Sequence, residues 1–302
     1  MTDFLEQVVS ERRADVARDK REVPERALLD LAAERGIKPI RQYGTRDRFT
    51  YALYMRQLEG RLGVIAEVKR VSPAVGALKP DVDVRTTARV YETSGAAAIS
   101  VLCEPHHWGG SFHDVRAVAE IVDIPVLCKD VIVDEYQIVA AWANGAAAVL
   151  LIAEALDDAT LRRLIRRADA LGMGVLVEAH ETAAFERAVR AAPWVVGVNA
   201  RDLRAPTEIR PERIRLLHHL AREHQILVAE SGIAAVDDAR MLPARVDAVL
   251  VGTALMRAQD PSVLIRQLAA VRRTGRYART TVTVVTGSVA EPRIRATVRR
   301  RT

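Results

Sequence analysis

Lysine is scarce in this chain. Of 45 basic residues only Lys20, Lys38, Lys69, Lys79 and Lys129 are lysines, and the rest are arginines. Arginine thus fills nearly every generic surface position, and a retained lysine invites a task arginine cannot perform, such as giving up a proton. Lys69 and Lys129 each close a short apolar run. Cysteine is scarce too: Cys103 and Cys128 alone in 302 residues exclude a disulfide framework. No stretch reaches the ~18 uninterrupted apolar residues of a membrane helix. The opening MTDFLEQVVSERRADVARDK is charged and has neither an apolar h-region nor a cleavage site, so no signal peptide is expected. The expectation is a soluble, cytoplasmic protein.

Acidic residues are nearly absent from the last stretch. Residues 272–302 hold nine arginines and one acid, Glu291, which leaves the preceding 271 residues at about −2 out of the overall +6. The basicity belongs to a tail, so the high sequence pI does not mark the body as a nucleic-acid binder. The tail is expected to be solvated and poorly ordered.

What the sequence has in quantity is a repeat of short apolar runs, at 64–69, 98–103, 125–129, 147–152, 174–178, 195–199, 226–230 and 248–252. Near-continuous apolarity suits parallel strands covered on both faces. Helical patterns lie between them, as at 134–143, 157–171 and 181–191, with apolar residues at i, i+3 and i+4. Eight strands alternating with helices predict an α/β (β/α)8 barrel over 64–271. Residues 1–63 are expected to add a helical extension that packs on it, with a helix capped by Thr2 or Asp3 and another near 46–60. No Gly-x-Gly-x-x-Gly follows the first run, so the dinucleotide fingerprint of an open sheet is missing.

A barrel gathers its chemistry at the C-terminal ends of its strands. Those ends carry Lys69, Glu104, Lys129, Glu154, Glu178, Asn199, Glu230 and Gly252. Glu67 and Lys69 stand two apart, so both side chains leave one face and each sets the other's pKa. Five ionisable groups on one rim (Glu67, Lys69, Lys129, Glu178, Glu230) exceed what packing requires, and proton transfer is their natural use. Ser231-Gly232 and Gly252-Thr253, after the seventh and eighth runs, suit a phosphate, because glycine lets backbone N–H groups approach its oxygens. Cys103, His106, His107 and Cys128 match no zinc spacing, and no elbow motif supports a Ser-His-Asp triad.

At this level the sequence resembles indole-3-glycerol-phosphate synthase. The likeness is carried by ERRADVA (11–17), IAEVKRVSP (65–73), SVLCEPHHWGGS (100–111), PVLCKDVIVDEYQI (125–138), LVE (176–178), VGVNARDL (196–203), VAESGI (228–233) and VGTALM (251–256), in family order. It implies a cofactor-free, metal-free lyase of tryptophan biosynthesis. The implied reaction closes an indole ring from 1-(2-carboxyphenylamino)-1-deoxyribulose 5-phosphate with loss of CO2 and water. By position the resemblance implies Lys129 as general acid and Lys69 as partner of the substrate carboxylate. Glu178 is implied as base of the dehydration, with Glu67, Asn199 and Glu230 orienting the charges. Ser231 matches a substrate contact, Ser72, Gly232, Gly252 and Thr253 match the phosphate site, and Arg201 braces the sixth-strand loop. Ala74 and Val75 replace the family's usual Ser and Lys, His106-His107 replace more usual residues, and Val131 stands where phenylalanine is usual. The last change is expected to loosen the aryl pocket, with Trp108 compensating, and leaves a substituted anthranilate open as substrate. A monomer or homodimer is expected.

Two other readings compete. A Schiff-base (aldolase-type) lyase would use Lys129 or Lys69 as nucleophile, and borohydride with substrate would then trap an adduct. A binding protein working through the tail would lose function on deletion of 272–302, whereas turnover by an enzyme would survive it.

Overall fold

The computed structural model describes residues 3–38 and 47–273. Eight strands form its centre: β1 (Gly63–Val68), β2 (Ala98–Leu102), β3 (Val126–Lys129), β4 (Ala148–Ile152), β5 (Gly174–Ala179), β6 (Val195–Asn199), β7 (Ile226–Glu230) and β8 (Ala248–Val251). Each pairs in parallel with its neighbours in chain order, and β8 closes on β1, with Ala66 opposite Val251. The expected (β/α)8 barrel is present, and each strand lies within about one residue of its sequence run. The helices expected at 134–143, 157–171 and 181–191 are Glu135–Ala143, Asp158–Ala170 and Thr182–Arg190.

The two-residue period of a strand sorts the side chains. Val64, Ala66 and Val68 of β1 join the outer core beneath the helices, while Ile65 joins the inner core with Leu127, Leu150, Leu176, Val228 and Leu250. Two residues further along, the same inward parity reaches Glu67, Lys129, Glu178 and Glu230. The alternation that fills the barrel with aliphatic carbon therefore also delivers its charges to one end.

Three helices precede β1: α1 (Phe4–Glu22), α2 (Glu25–Glu34) and α3 (Arg48–Leu58). Asp3 caps α1 by accepting from the Glu6 N–H at 2.8 Å, and Asp47 caps α3 through Thr50. Helix α3 closes the end of the barrel where the strands start. Phe49 and Leu53 are buried in the inner core, and side chains at Gly63 or Gly174 would collide with Leu53, or with Asp47 and Phe49. Helix α1 reaches the other end, where Leu5 and Val8 join the inner core beside Val131. Among the described residues no helix is long and apolar enough to cross a membrane. The Arg-rich tail lies outside the described residues from residue 274 on.

Candidate active site

A cavity of about 520 Å³ opens at the C-terminal ends of the strands. Glu67, Lys69, Lys129, Asn199, Arg201 and Glu230 line its floor and one wall. Ser72, Trp108, Ser231, Gly232, Gly252 and Thr253 also line it, among further residues. Two predicted residues stand apart from this lining. Glu178 is buried under the floor, in reach of Lys129 at 3.7 Å. Val131 is buried in the inner core with Leu5 and Val8, so α1 packs on the side where a looser aryl pocket was expected.

The floor is a closed set of charges. Lys69 Nζ lies 2.7 Å from Glu67 Oε1, as their two-residue spacing predicts. The missing side chain of Gly252 makes room for this pair: a Cβ there would stand 2.0 Å from Glu67 Oε1 and 3.0 Å from Lys69 Nζ. Gly197 does the same for Glu230, whose Oε1 would lie 2.1 Å from a Cβ. Asn199 holds the centre: its Nδ2 donates to Glu178 Oε1 at 3.3 Å, and its Oδ1 accepts from Ser231 Oγ at 2.9 Å and from the Arg201 N–H at 3.0 Å.

These neighbours decide the protonation states. Burial pushes the Glu67 carboxyl up, but the charges of Lys69, Lys129 and Arg201 outweigh it, and its pKa ends below the ordinary value. Burial works against the Lys129 ammonium, yet Glu178, Glu67 and Glu230 together raise its pKa above that of a free lysine. Lys129 is therefore held charged. Glu230 goes the other way. Burial, with Glu178 and Glu67 nearby, pushes its carboxyl well up against the pull of Lys129. That direction favours the neutral acid, the form of Glu230 that can donate to Glu178.

Ser231 and Gly232 both have positive φ, 64° and 77°. Successive left-handed residues turn the backbone sharply here, and Gly232 meets the second such angle without a Cβ penalty. Across the cavity Thr253 begins the helix Thr253–Arg257.

Several positioning groups escaped the sequence reading. Arg12 of α1 grips Asp130, the neighbour of Lys129, through Nε–Oδ1 at 3.0 Å and Nη2–Oδ2 at 2.6 Å. Its only sequence signal is its place in ERRADVA. Buried Glu104 accepts the backbone N–H groups of His106, His107 and Trp108 at 3.0, 2.6 and 3.1 Å, which fixes the loop that carries Trp108 to the cavity. His106 and His107 pair with Asp15 and Glu11 of α1 at 2.8 and 2.6 Å, and Cys103 Sγ lies 3.1 Å from Cys128 Sγ. The four residues considered for zinc thus fall into separate contacts. His180, Glu181 and Asp202 bring possible ligand atoms within 4.8 Å of one another. Arg204 and Arg213 already occupy both carboxylates, which makes that cluster an ion-pair network.

A family model described as indole-3-glycerol phosphate synthase matches residues 5–268. The indole-3-glycerol phosphate synthase of Laribacter hongkongensis is 39% identical over 271 residues, covering 89% of this chain and 100% of the relative. That of a Nocardioides species is 48% identical over 209 residues, covering 69% of this chain and 80% of the relative. Among solved structures, a tryptophan synthase α subunit from Legionella pneumophila aligns with a TM-score of 0.55 at 13% identity, covering 74% of this chain and 97% of that one. At that identity the likeness shows the barrel fold alone.

Proposed function

This chain belongs to the indole-3-glycerol phosphate synthase family, and from that premise we propose how its own residues carry the reaction. It is a carboxy-lyase of tryptophan biosynthesis. The substrate is 1-(2-carboxyphenylamino)-1-deoxyribulose 5-phosphate, a small molecule with a carboxylate at one end and a phosphate at the other. The reading places the phosphate against Ser72, Gly232, Gly252 and Thr253, where backbone N–H groups and a helix start favour an anion. Trp108 packs against the aryl ring, with Val131 behind it. Lys69, Lys129 and Arg201 present cations to a substrate that carries only negative charge.

Lys129 donates its proton to the ketone oxygen as the carboxylate-bearing ring carbon attacks the ketone carbon. Lys69 holds the carboxylate until it leaves as CO2, and its electrons restore the aromatic ring. Lys129, once recharged, gives the former ketone oxygen its second proton, and the oxygen departs as water while Glu178 takes the proton whose loss completes the indole. Asn199 aims Glu178 and Ser231, Glu67 keeps Lys69 in place, and neutral Glu230 backs Glu178 without adding charge. One carbon–carbon bond forms, and the rest is proton transfer and loss of CO2 and water, so no step calls for a cofactor. The protein acts in the cytoplasm as a monomer or homodimer, with this substrate as its partner rather than a nucleic acid.

One observation carries the reading: Lys129 is buried 3.7 Å from Glu178, and the Glu178 and Glu67 carboxylates favour its charged form over the cost of burial. A general acid needs its proton, whereas a Schiff-base nucleophile needs to have lost it. The experiment is fluorescence detection of indole-glycerol phosphate from the unsubstituted substrate. Wild-type protein is expected to turn over, and Lys129→Ala to lose about 10²–10⁴-fold in kcat. Turnover unaffected by the substitution, or an adduct trapped by borohydride, would sink the assignment.

A further inference from the structure

The reaction proposed above consumes a proton. The ketone oxygen leaves as water and so collects two protons, while formation of the indole double bond in the dehydration releases one. The carboxylate leaves as neutral CO2, so each turnover draws one proton from solvent. Glu178 can pass the released proton back to Lys129, 3.7 Å away. The second must enter a site whose floor is buried.

Beside Glu178, at the ends of β5 and β6, lies a void of about 10 Å³ walled by Glu178, His180, Asn199, Glu154 and Asp202, with Leu5 of α1 also lining it. That is close to the ~10–15 Å³ one water molecule needs. His180 is 3% exposed. Its Nδ1 lies 2.8 Å from the main-chain oxygen of Asn199. A carbonyl only accepts, so Nδ1 carries the hydrogen, and the neutral ring keeps a lone pair on Nε2. Among the described residues, buried Nε2 has no hydrogen-bond partner. Leaving such an acceptor unsatisfied is costly. Asn199, whose carbonyl orients the imidazole, also donates its side-chain amide to Glu178, so one residue holds both groups.

We propose that this void holds one water joining His180 Nε2 to Glu178, and that His180 admits from solvent the proton each turnover consumes. The inference rests on Glu178 acting as the base next to Lys129. In the step itself, a proton arriving at the void water from the Asp202 side is taken up by the one lone pair of Nε2, which faces that water. The N–H bond then breaks as the proton passes to the water oxygen, and the water gives one of its own protons to the Glu178 carboxylate. Glu178 in turn supplies Lys129. No electrons change hands, and water and imidazole return to their starting states.

Charged groups face the void from several elements. Glu154 faces the void from the turn after β4, and Glu178 from β5. Arg201, Asp202 and Arg204 face it from the segment after β6. Glu181 and Asp202 stand within 4.8 Å of a His180 ring nitrogen, but Arg204 pairs with both and Arg213 of the helix Glu212–Leu217 pairs with Glu181. Asp202, whose side chain is 13% exposed, marks the way to solvent.

His180→Asn keeps a donor for the Asn199 carbonyl and removes the proton carrier. The expected result is unchanged Tm and KM, with kcat lowered roughly tenfold at pH 8. The loss shrinks toward pH 6, and kcat rises in proportion to added imidazole buffer. A wild-type pH profile in the variant, or a drop in kcat indifferent to buffer, overturns the relay. A measurement that needs no variant is a high-resolution crystal structure of the wild type. A water within hydrogen-bonding distance of both Nε2 and the Glu178 carboxyl supports the proposal, and none there overturns it. Glu178→Gln separates the two readings: full turnover in that variant removes Glu178 as base and with it the function assigned above. Loss there, beside ordinary behaviour of His180→Asn, removes only the relay.

Discussion

The two ends of the barrel are made from the same eight strands and have opposite chemistry. Where the strands start, Phe49 and Leu53 of α3 fill the opening, and glycines at 63 and 174 let that helix seat closely. Where they end, Glu67, Lys69, Lys129, Glu178 and Glu230 share one floor, and glycines at 197 and 252 clear space for carboxylates. Glycine serves packing at one end and charge at the other. The closed end gains from burying carbon, while the open end holds unlike charges in a low-dielectric site at a cost in stability. Stability and activity should therefore separate along the barrel axis, and three substitutions test that separation.

The largest effect is expected at the closed end. Phe49→Ala removes a fully buried ring and should cost about 3–5 kcal/mol in denaturant unfolding, with kcat per folded molecule unchanged. A fall in kcat that stability does not explain would break the contrast. Next comes Gly252→Ala at the mouth. Its Cβ would stand 2.0 Å from Glu67 Oε1, so the Glu67–Lys69 pair has to move. Misplacement on that scale costs about a hundredfold in kcat/KM, with a smaller change in Tm. Equal losses in both assays would mean that the glycine serves folding instead.

Glu230→Gln has the smallest effect and the most specific sign. In the folded protein this carboxyl is pushed well up by burial and by Glu178 and Glu67, while in the unfolded chain it ionises near the ordinary value of 4.5. The folded state therefore binds more protons above that pH, and this group's contribution to stability falls as pH rises toward its folded pKa. Glutamine removes the titration and can still donate to Glu178. The variant is expected to melt about 2–4 °C above wild type at pH 8 and level with it at pH 4. A gain of equal size at both pH values would show that Glu230 is not held as the neutral acid.

Much of this was legible in the chain. Apolar runs located all eight strands, four of them ending in charge at Lys69, Lys129, Glu178 and Glu230, and the pairing of Glu67 with Lys69 follows from their spacing. The scarcity of lysine singled out Lys69 and Lys129 without any relative in view. Arg12 was not legible as a partner of Asp130, because 118 residues separate them and nothing local in α1 points to β3. Val131 drew notice as a departure beside Lys129, but its place behind the cavity depends on where α1 lies. His180 was passed over because a histidine two residues beyond a glutamate has no distinctive pattern. Its unpartnered Nε2 exists only once β5 and β6 are side by side.

By itself the sequence determined the periodicities: strand, helix, and the inward parity that carries charge to one end of the barrel. Those depend on backbone geometry, which repeats every few residues and reads off a single segment. Tertiary structure alone decided the protonation of Lys129 and Glu230, the seating of the charges over glycine, and the closure of the barrel base by α3. Electrostatics and burial act through space, between groups that the chain keeps far apart until the barrel closes.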